Sequence, residues 1–189
     1  MEIIDKEGVK RIKGYHTQEF WISGALANPI ICKEINAWLG KGYYFWVEEE
    51  FAKYWGEDFK TKNTGSYDIY TGLLDTTNCI DAVFNLDGYY FFRKQIDKVV
   101  DKFKNEGIEI TLKNVHDFLE ENIWKEKGIT GIIYDDLPSN NNAKPNRKYS
   151  LIKHSEKEHR IFYYHKRIQI VMFNLNNIHN FALHLEEQT

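Results

Sequence analysis

The run Gly40-Lys41-Gly42-Tyr43-Tyr44-Phe45-Trp46 constrains the fold of this 189-residue chain more than any other stretch. Two glycines flanking a lysine permit a tight turn and let another group approach the backbone closely. The aromatic residues that follow predict a short strand over Gly42–Val47, with side chains alternating between its two faces. Tyr43 and Tyr44 should therefore point to opposite sides, one into the core and one into a cleft where its ring can stack on a flat ligand. Taken alone, these residues also suit an ordinary glycine turn leading into an aromatic strand.

The rest of the chain adds elements around that run. Glu48–Trp55 reads as a helix with Phe51, Ala52 and Trp55 on one side, and Glu48, Glu49 and Glu50 in its first turn complement the helix dipole. Ile96, Val99, Val100 and Phe103 recur at helical spacing, as do Val115, Phe118, Leu119 and Ile123, with Gly107 as a helix stop between the two sets. Strands are expected over Tyr67–Leu74, Ile129–Tyr134, Tyr149–Lys153, Arg160–Tyr164 and Ile168–Phe173. An Asn-, Ser- and Pro-rich stretch near 138–148 is expected as an exposed loop. Strand and helix come first, then helices, then a strand-rich end, an order that fits one α+β domain rather than a regular βαβ array. At 189 residues the chain is long enough for one real core.

Hydrophobic residues at 42% and charged residues at 28% are ordinary for a soluble protein, while aromatics at 15% favour strands and aromatic-lined clefts. A net charge of −3 predicts neither a nucleic-acid binder nor a membrane binder for the chain as a whole. No apolar segment approaches the roughly 20 residues needed to cross a bilayer. Met1–Lys6 carries acids where a signal peptide needs a basic and then an apolar run, so the expected location is cytoplasmic. Cys32 and Cys79, the two cysteines, form no CxxC pair and read as buried thiols in a reducing compartment. No metal site is expected.

Gly40-Lys41-Gly42-Tyr43-Tyr44-Phe45-Trp46, with Phe51-Ala52-Lys53-Tyr54 after it, resembles the active-site strand and following helix of ADP-ribosyltransferases of the poly-ADP-ribose polymerase and diphtheria-toxin group. Gly14-Tyr15-His16-Thr17, 28 residues before Tyr44 when counted to His16, resembles that family's histidine motif. The resemblance implies a split β-sheet core with inserted helices and NAD as substrate. In that register Tyr44 stacks on nicotinamide and Tyr43 faces the core. His16 hydrogen-bonds the adenosine ribose hydroxyls, Thr17 lies near the nicotinamide amide, and Gly42 and Tyr54 complete the NAD-binding set. Trp38 to Phe45, Asn78-Cys79-Ile80-Asp81 and Ile168-Gln169-Ile170 are similar to a bacterial branch of small stand-alone transferase-like proteins.

In this register Gln169 fills the place of the family's catalytic glutamate. Cleaving the glycosidic bond to nicotinamide develops an oxocarbenium-like centre that a carboxylate complements. An amide can accept from a ribose hydroxyl only as a neutral group, a deficit of about 1–2 kcal/mol, or roughly tenfold in rate. The change argues against chain-elongating polymer synthesis and for single transfer, or for a nearby acid taking over. Glu156 and Glu158, or Glu48, Glu49 and Glu50, are the candidates, and each also fits a solvated charge.

From Ser139 to Ile170 eight Lys or Arg oppose two Glu, a net of +6 that leaves −9 for the rest of a −3 chain. Lys144, Arg147, Lys148, Lys153, Lys157, Arg160, Lys166 and Arg167 fit solvated edges, or an anion-binding surface beside the active site. His154, His159 and His165 lie in the same stretch, and Tyr163 and Tyr164 could stack on an unpaired base. The expected activity is mono-ADP-ribosyl transfer to a protein or nucleic acid, in the manner of a bacterial toxin or phage-defence effector, with a neutralising partner protein and no membrane. An NAD glycohydrolase and a non-catalytic binding module of NAD, ADP-ribose or nucleic acid are the other readings.

Overall fold

The computed structural model describes residues 3–6, 8–20, 24–33, 37–136, 149–153, 159–164 and 166–188, and for 3–6, 63–64, 149–153, 159–164 and 186–188 the backbone alone. The architecture is α+β. Eight strands form one sheet: β1 (Ile3–Lys6), β2 (Val9–Glu19), β3 (Tyr43–Trp46), β4 (Ser66–Asp75), β5 (Cys79–Asp81), β6 (Gly131–Asp135), β9 (Ile168–Met172) and β10 (Ile178–Gln188). Their order is β10-β4-β2-β3-β9-β6-β5, with β1 on β2, and only β5 and β6 run parallel. β7 (Tyr149–Lys153) and β8 (His159–Tyr164) make a separate antiparallel hairpin. The 138–148 loop lies outside the described residues.

The middle of the sheet is a seam. β2 pairs with β4 over nine residues but with β3 only through Tyr15 opposite Trp46. Two strand groups, β10-β4-β2 and β3-β9-β6-β5, therefore meet at a single residue pair. Strand alternation splits the core accordingly. Phe45, Ile133, Ile170 and Met172 pack with Ile12 and Leu74 of the other group, and Tyr43 joins them. On the opposite face Ile132 and Val171 lie under the helices α3 (Leu86–Glu106) and α4 (Leu112–Leu119), with Tyr44 packed against that cluster. Tyr43 and Tyr44 thus face opposite ways, as alternation predicts.

α1 (Glu49–Trp55) closes a third cluster, setting Phe51 and Ala52 on Trp46, Tyr67 and Ile69. It continues as a π-helical turn (Gly56–Lys60) and then α2 (Thr61–Thr64). α3 begins with an Asn85 cap that accepts from the Asp87 and Gly88 N–H groups and stops at Gly107, whose φ of +68° ends the helix as expected. The strand expectations hold within two residues: Gly42 leaves β3 for an isolated bridge with Cys32, Ile129 and Thr130 precede β6, and Phe173 falls just beyond β9. Among the described residues no helix is long and apolar enough to cross a membrane.

Candidate functional site

The glycines of the opening motif have separate duties. Gly40 has φ +84°, a conformation that side chains disfavour, and a Cβ there would lie 3.1 Å from the His116 Cβ. A Cβ on Gly42 would fall into the Val171 side chain and 2.8 Å from the Met172 carbonyl oxygen, so this glycine lets the turn pass close over β9. Between them the turn is clamped by Tyr44. Its hydroxyl donates to the Gly40 carbonyl at 2.6 Å and accepts from the Leu39 N–H at 3.0 Å. Burial raises its pKa well above the usual phenol value, so the group stays protonated and its ring is fixed.

His16 comes from β2, across the seam. Its Nδ1 lies 2.9 Å from the Tyr44 carbonyl, which can only accept, so Nδ1 carries the proton and Nε2 is the acceptor. The Ile30 N–H reaches Nε2 at a long 3.4 Å. Burial, aided by the charge of Lys60, lowers the His16 pKa to about 4, so the ring is neutral at pH 7. The sequence expectation of His16 as a hydrogen-bond partner of ribose hydroxyls is thereby narrowed. Nδ1 is committed to holding β2 against β3, and Nε2 can accept from a ligand hydroxyl only in place of the long contact from the Ile30 N–H.

Gln169 lies opposite Trp46 on β9 and accepts a 2.8 Å hydrogen bond from the Trp38 indole through Oε1. An indole N–H only donates, so the oxygen is the amide atom that faces Trp38, and the Nε2 donor end faces away. This narrows the expectation of Gln169 as an acceptor: one lone pair of its oxygen is engaged by Trp38 and one is left for a ligand hydroxyl. Trp38 is itself set edge-on against Tyr134, with ring centroids 5.6 Å apart.

These three side chains, from residues 16, 44 and 169, line one cavity of about 540 Å³. That is within the roughly 300–1,000 Å³ of small-molecule sites. Trp38, Trp46, Trp55 and Phe59 supply aromatic walls, and Cys32 and Ala37 lie along the loop side. Trp55 and Phe59, four residues apart on the same helical face, stack at 4.2 Å, and the π-helical turn carries Lys60 to the cavity. Lys33 also lines it, and neither lysine has an ion pair among the described residues. The described lining contains one carboxylate, Asp136, bonded to Arg167 at 2.9 Å.

Other expected residues fall elsewhere. Thr17 lines the cavity but donates its hydroxyl to the Ala52 carbonyl at 2.8 Å, tying β2 to α1. Gly42 and Tyr54 do not line it. Gly42 is buried under the turn, and the Tyr54 hydroxyl, one helical turn from Glu50, donates to that carboxylate at 2.8 Å. None of Glu48, Glu49 and Glu50 lines the cavity: Glu48 stands at the N-cap position of α1 without a side-chain capping bond, and Glu49 meets Lys53 and His184, whose hydrogen bonds lower its pKa. Glu156, Glu158, Lys144, Arg147, Lys148, Lys157, His154 and His165 lie outside the described residues, as do the side chains of Lys153, His159, Arg160, Tyr163 and Tyr164. Cys32 and Cys79 are free thiols, half-buried rather than sealed in the core. Sequence reasoning missed Lys33, Lys60, Phe59 and Asp136, which carry no local pattern. Trp38 alone had a signal, two residues before Gly40.

No family model, no curated protein and no solved structure matches this chain.

Proposed function

We propose that the cavity binds NAD and that the protein transfers a single ADP-ribosyl unit from it to a macromolecular acceptor. The observation that carries this reading is the convergence of His16, Tyr44 and Gln169 on one cavity from three strands far apart in sequence. The chemistry of the walls supports it. Tyr44 and the tryptophans offer faces to a planar ring. His16 Nε2, met otherwise only by the Ile30 N–H at a long 3.4 Å, offers an acceptor to a ribose hydroxyl that displaces it, and Lys33 and Lys60 offer charge to a pyrophosphate. A dinucleotide carries all three kinds of group, whereas a purely apolar ligand would leave two lysines and an imidazole without use.

The test incubates the protein with NAD labelled in nicotinamide and measures release with and without cell lysate. Release that depends on lysate is expected, with the label of an adenine-tagged NAD moving onto a protease- or nuclease-sensitive product. Tyr44→Ala and His16→Ala should each abolish release. Equal release without lysate means water is the acceptor, and NAD binding without release means a binding module. Absence of both sinks the reading.

A further inference from the structure

The carboxylate that the reaction calls for is missing at residue 169, and the structure offers another. The chain leaves β6 at Asp135, and Asp136 donates its backbone N–H to the Arg167 carbonyl at 2.7 Å, extending the β6–β9 ladder by one step. Tyr134 is the register partner of Gln169, so Asp136, two residues on, shares the strand face that carries Gln169. It lines the same cavity. Arg167 is held over Trp46 and Phe51, with its guanidinium 5.3 and 5.9 Å from their ring centres, and fixes the Asp136 carboxylate through Oδ2. The Asp136 side chain is half-buried, 25% exposed, where it lines the cavity.

We infer that Asp136 supplies the negative charge at the reacting ribose, while Gln169, oriented by Trp38, donates to a ribose oxygen. This rests on the NAD reading. The bond from the nicotinamide nitrogen to the ribose carbon breaks, and its electron pair neutralises the pyridinium. The positive charge left on the ribose carbon and ring oxygen faces the Asp136 carboxylate. A lone pair of the acceptor's oxygen or nitrogen then bonds that carbon, and the proton the acceptor loses passes to Asp136 and on to solvent. The products are ADP-ribosyl acceptor, nicotinamide and one proton. Trp38 is a positioning residue in this scheme, since it acts through the Gln169 amide.

The experiment measures nicotinamide release and NAD affinity for the full chain carrying Asp136→Asn, Gln169→Glu, both, or Trp38→Phe. Asp136→Asn should cut release at least 100-fold with NAD affinity within threefold. Gln169→Glu in that background should restore release at least tenfold, because a glutamate there can accept from Trp38 with one oxygen and face the ribose with the other. Trp38→Phe should lower release in the parent but change it less than twofold in the Gln169→Glu background, where a carboxylate has no donor end to misplace. Release by Asp136→Asn within twofold of the parent, or no restoration by Gln169→Glu, overturns the inference. If Asp136→Asn does not fold, Asp136→Ser takes its place: a fall of at least 100-fold with NAD still bound supports the inference, and release within twofold of the parent overturns it. A parent chain that binds no NAD sinks the functional reading itself, whereas a parent that releases nicotinamide and an Asp136→Asn chain that matches it sink this inference alone.

Discussion

Replacing Tyr44 with Phe separates the two duties of that residue. The substitution keeps the ring and deletes one oxygen, whose partners are the Gly40 carbonyl at 2.6 Å and the Leu39 N–H at 3.0 Å. Both groups sit in a turn that is buried at Leu39 and Gly40, against His116. A buried polar group left without a partner costs about 1–3 kcal/mol, so two partly compensated groups amount to about 2–4 kcal/mol. For a chain of this size each kcal/mol moves the melting temperature by about 2–4 °C, which gives a fall of roughly 5–15 °C. Stacking on the ligand depends on the ring and its placement, so NAD affinity should drop by less than tenfold in protein that is still folded at the assay temperature. Thermal unfolding followed by circular dichroism, with calorimetric titration of NAD at 15 °C, reads both quantities. A melting temperature within 1 °C of the parent would refute the claim that the hydroxyl holds the turn. A complete loss of affinity with unchanged stability would assign the hydroxyl to the ligand instead.

Two further outcomes follow from the buried groups. His16 and His116 both have pKa values lowered to about 4, chiefly by burial, against an ordinary 6.5. Protons therefore bind the unfolded chain first, so the contribution of each ring, about 3 kcal/mol, is complete above pH 6.5 and lost as pH falls towards 4. Urea midpoints should decline between pH 7 and 4.5, with a shallower slope in His16→Gln, and a flat profile across that window would contradict the assigned burial. Cys79 has its thiol pKa pushed up to about 12 by burial, whereas Cys32 lines the cavity. Iodoacetamide followed by mass spectrometry should modify Cys32 and spare Cys79, and NAD should slow the Cys32 reaction. Preferential labelling of Cys79 would argue against this arrangement.

What could be read from the residues depended on how regular each element is. The helix faces of α3 and α4 bury Val99, Phe103, Val115 and Leu119 in the expected phase, because their apolar spacing reports directly on packing. β2 was visible only through its histidine. Its inward positions are Ile12, Gly14 and His16, one apolar side chain among three, so no alternation announces the strand. β10 hid for another reason: its register shifts twice against β4, and Asn180 sits at φ +53°, which breaks the period of two. The motif residues His16, Tyr44 and Gln169 could be named in advance because short-range patterns mark them. Asp136, Lys33 and Lys60 could not, since each joins the cavity from a strand end, loop or turn whose place is set by the whole sheet.

The most direct measurement is calorimetric titration of NAD into the purified chain, repeated with Tyr44→Ala and His16→Ala variants shown to be folded. The account predicts saturable binding to one site in the parent, weakened at least tenfold by either substitution. Absence of saturable binding in the parent, or affinity that neither substitution changes, would contradict it.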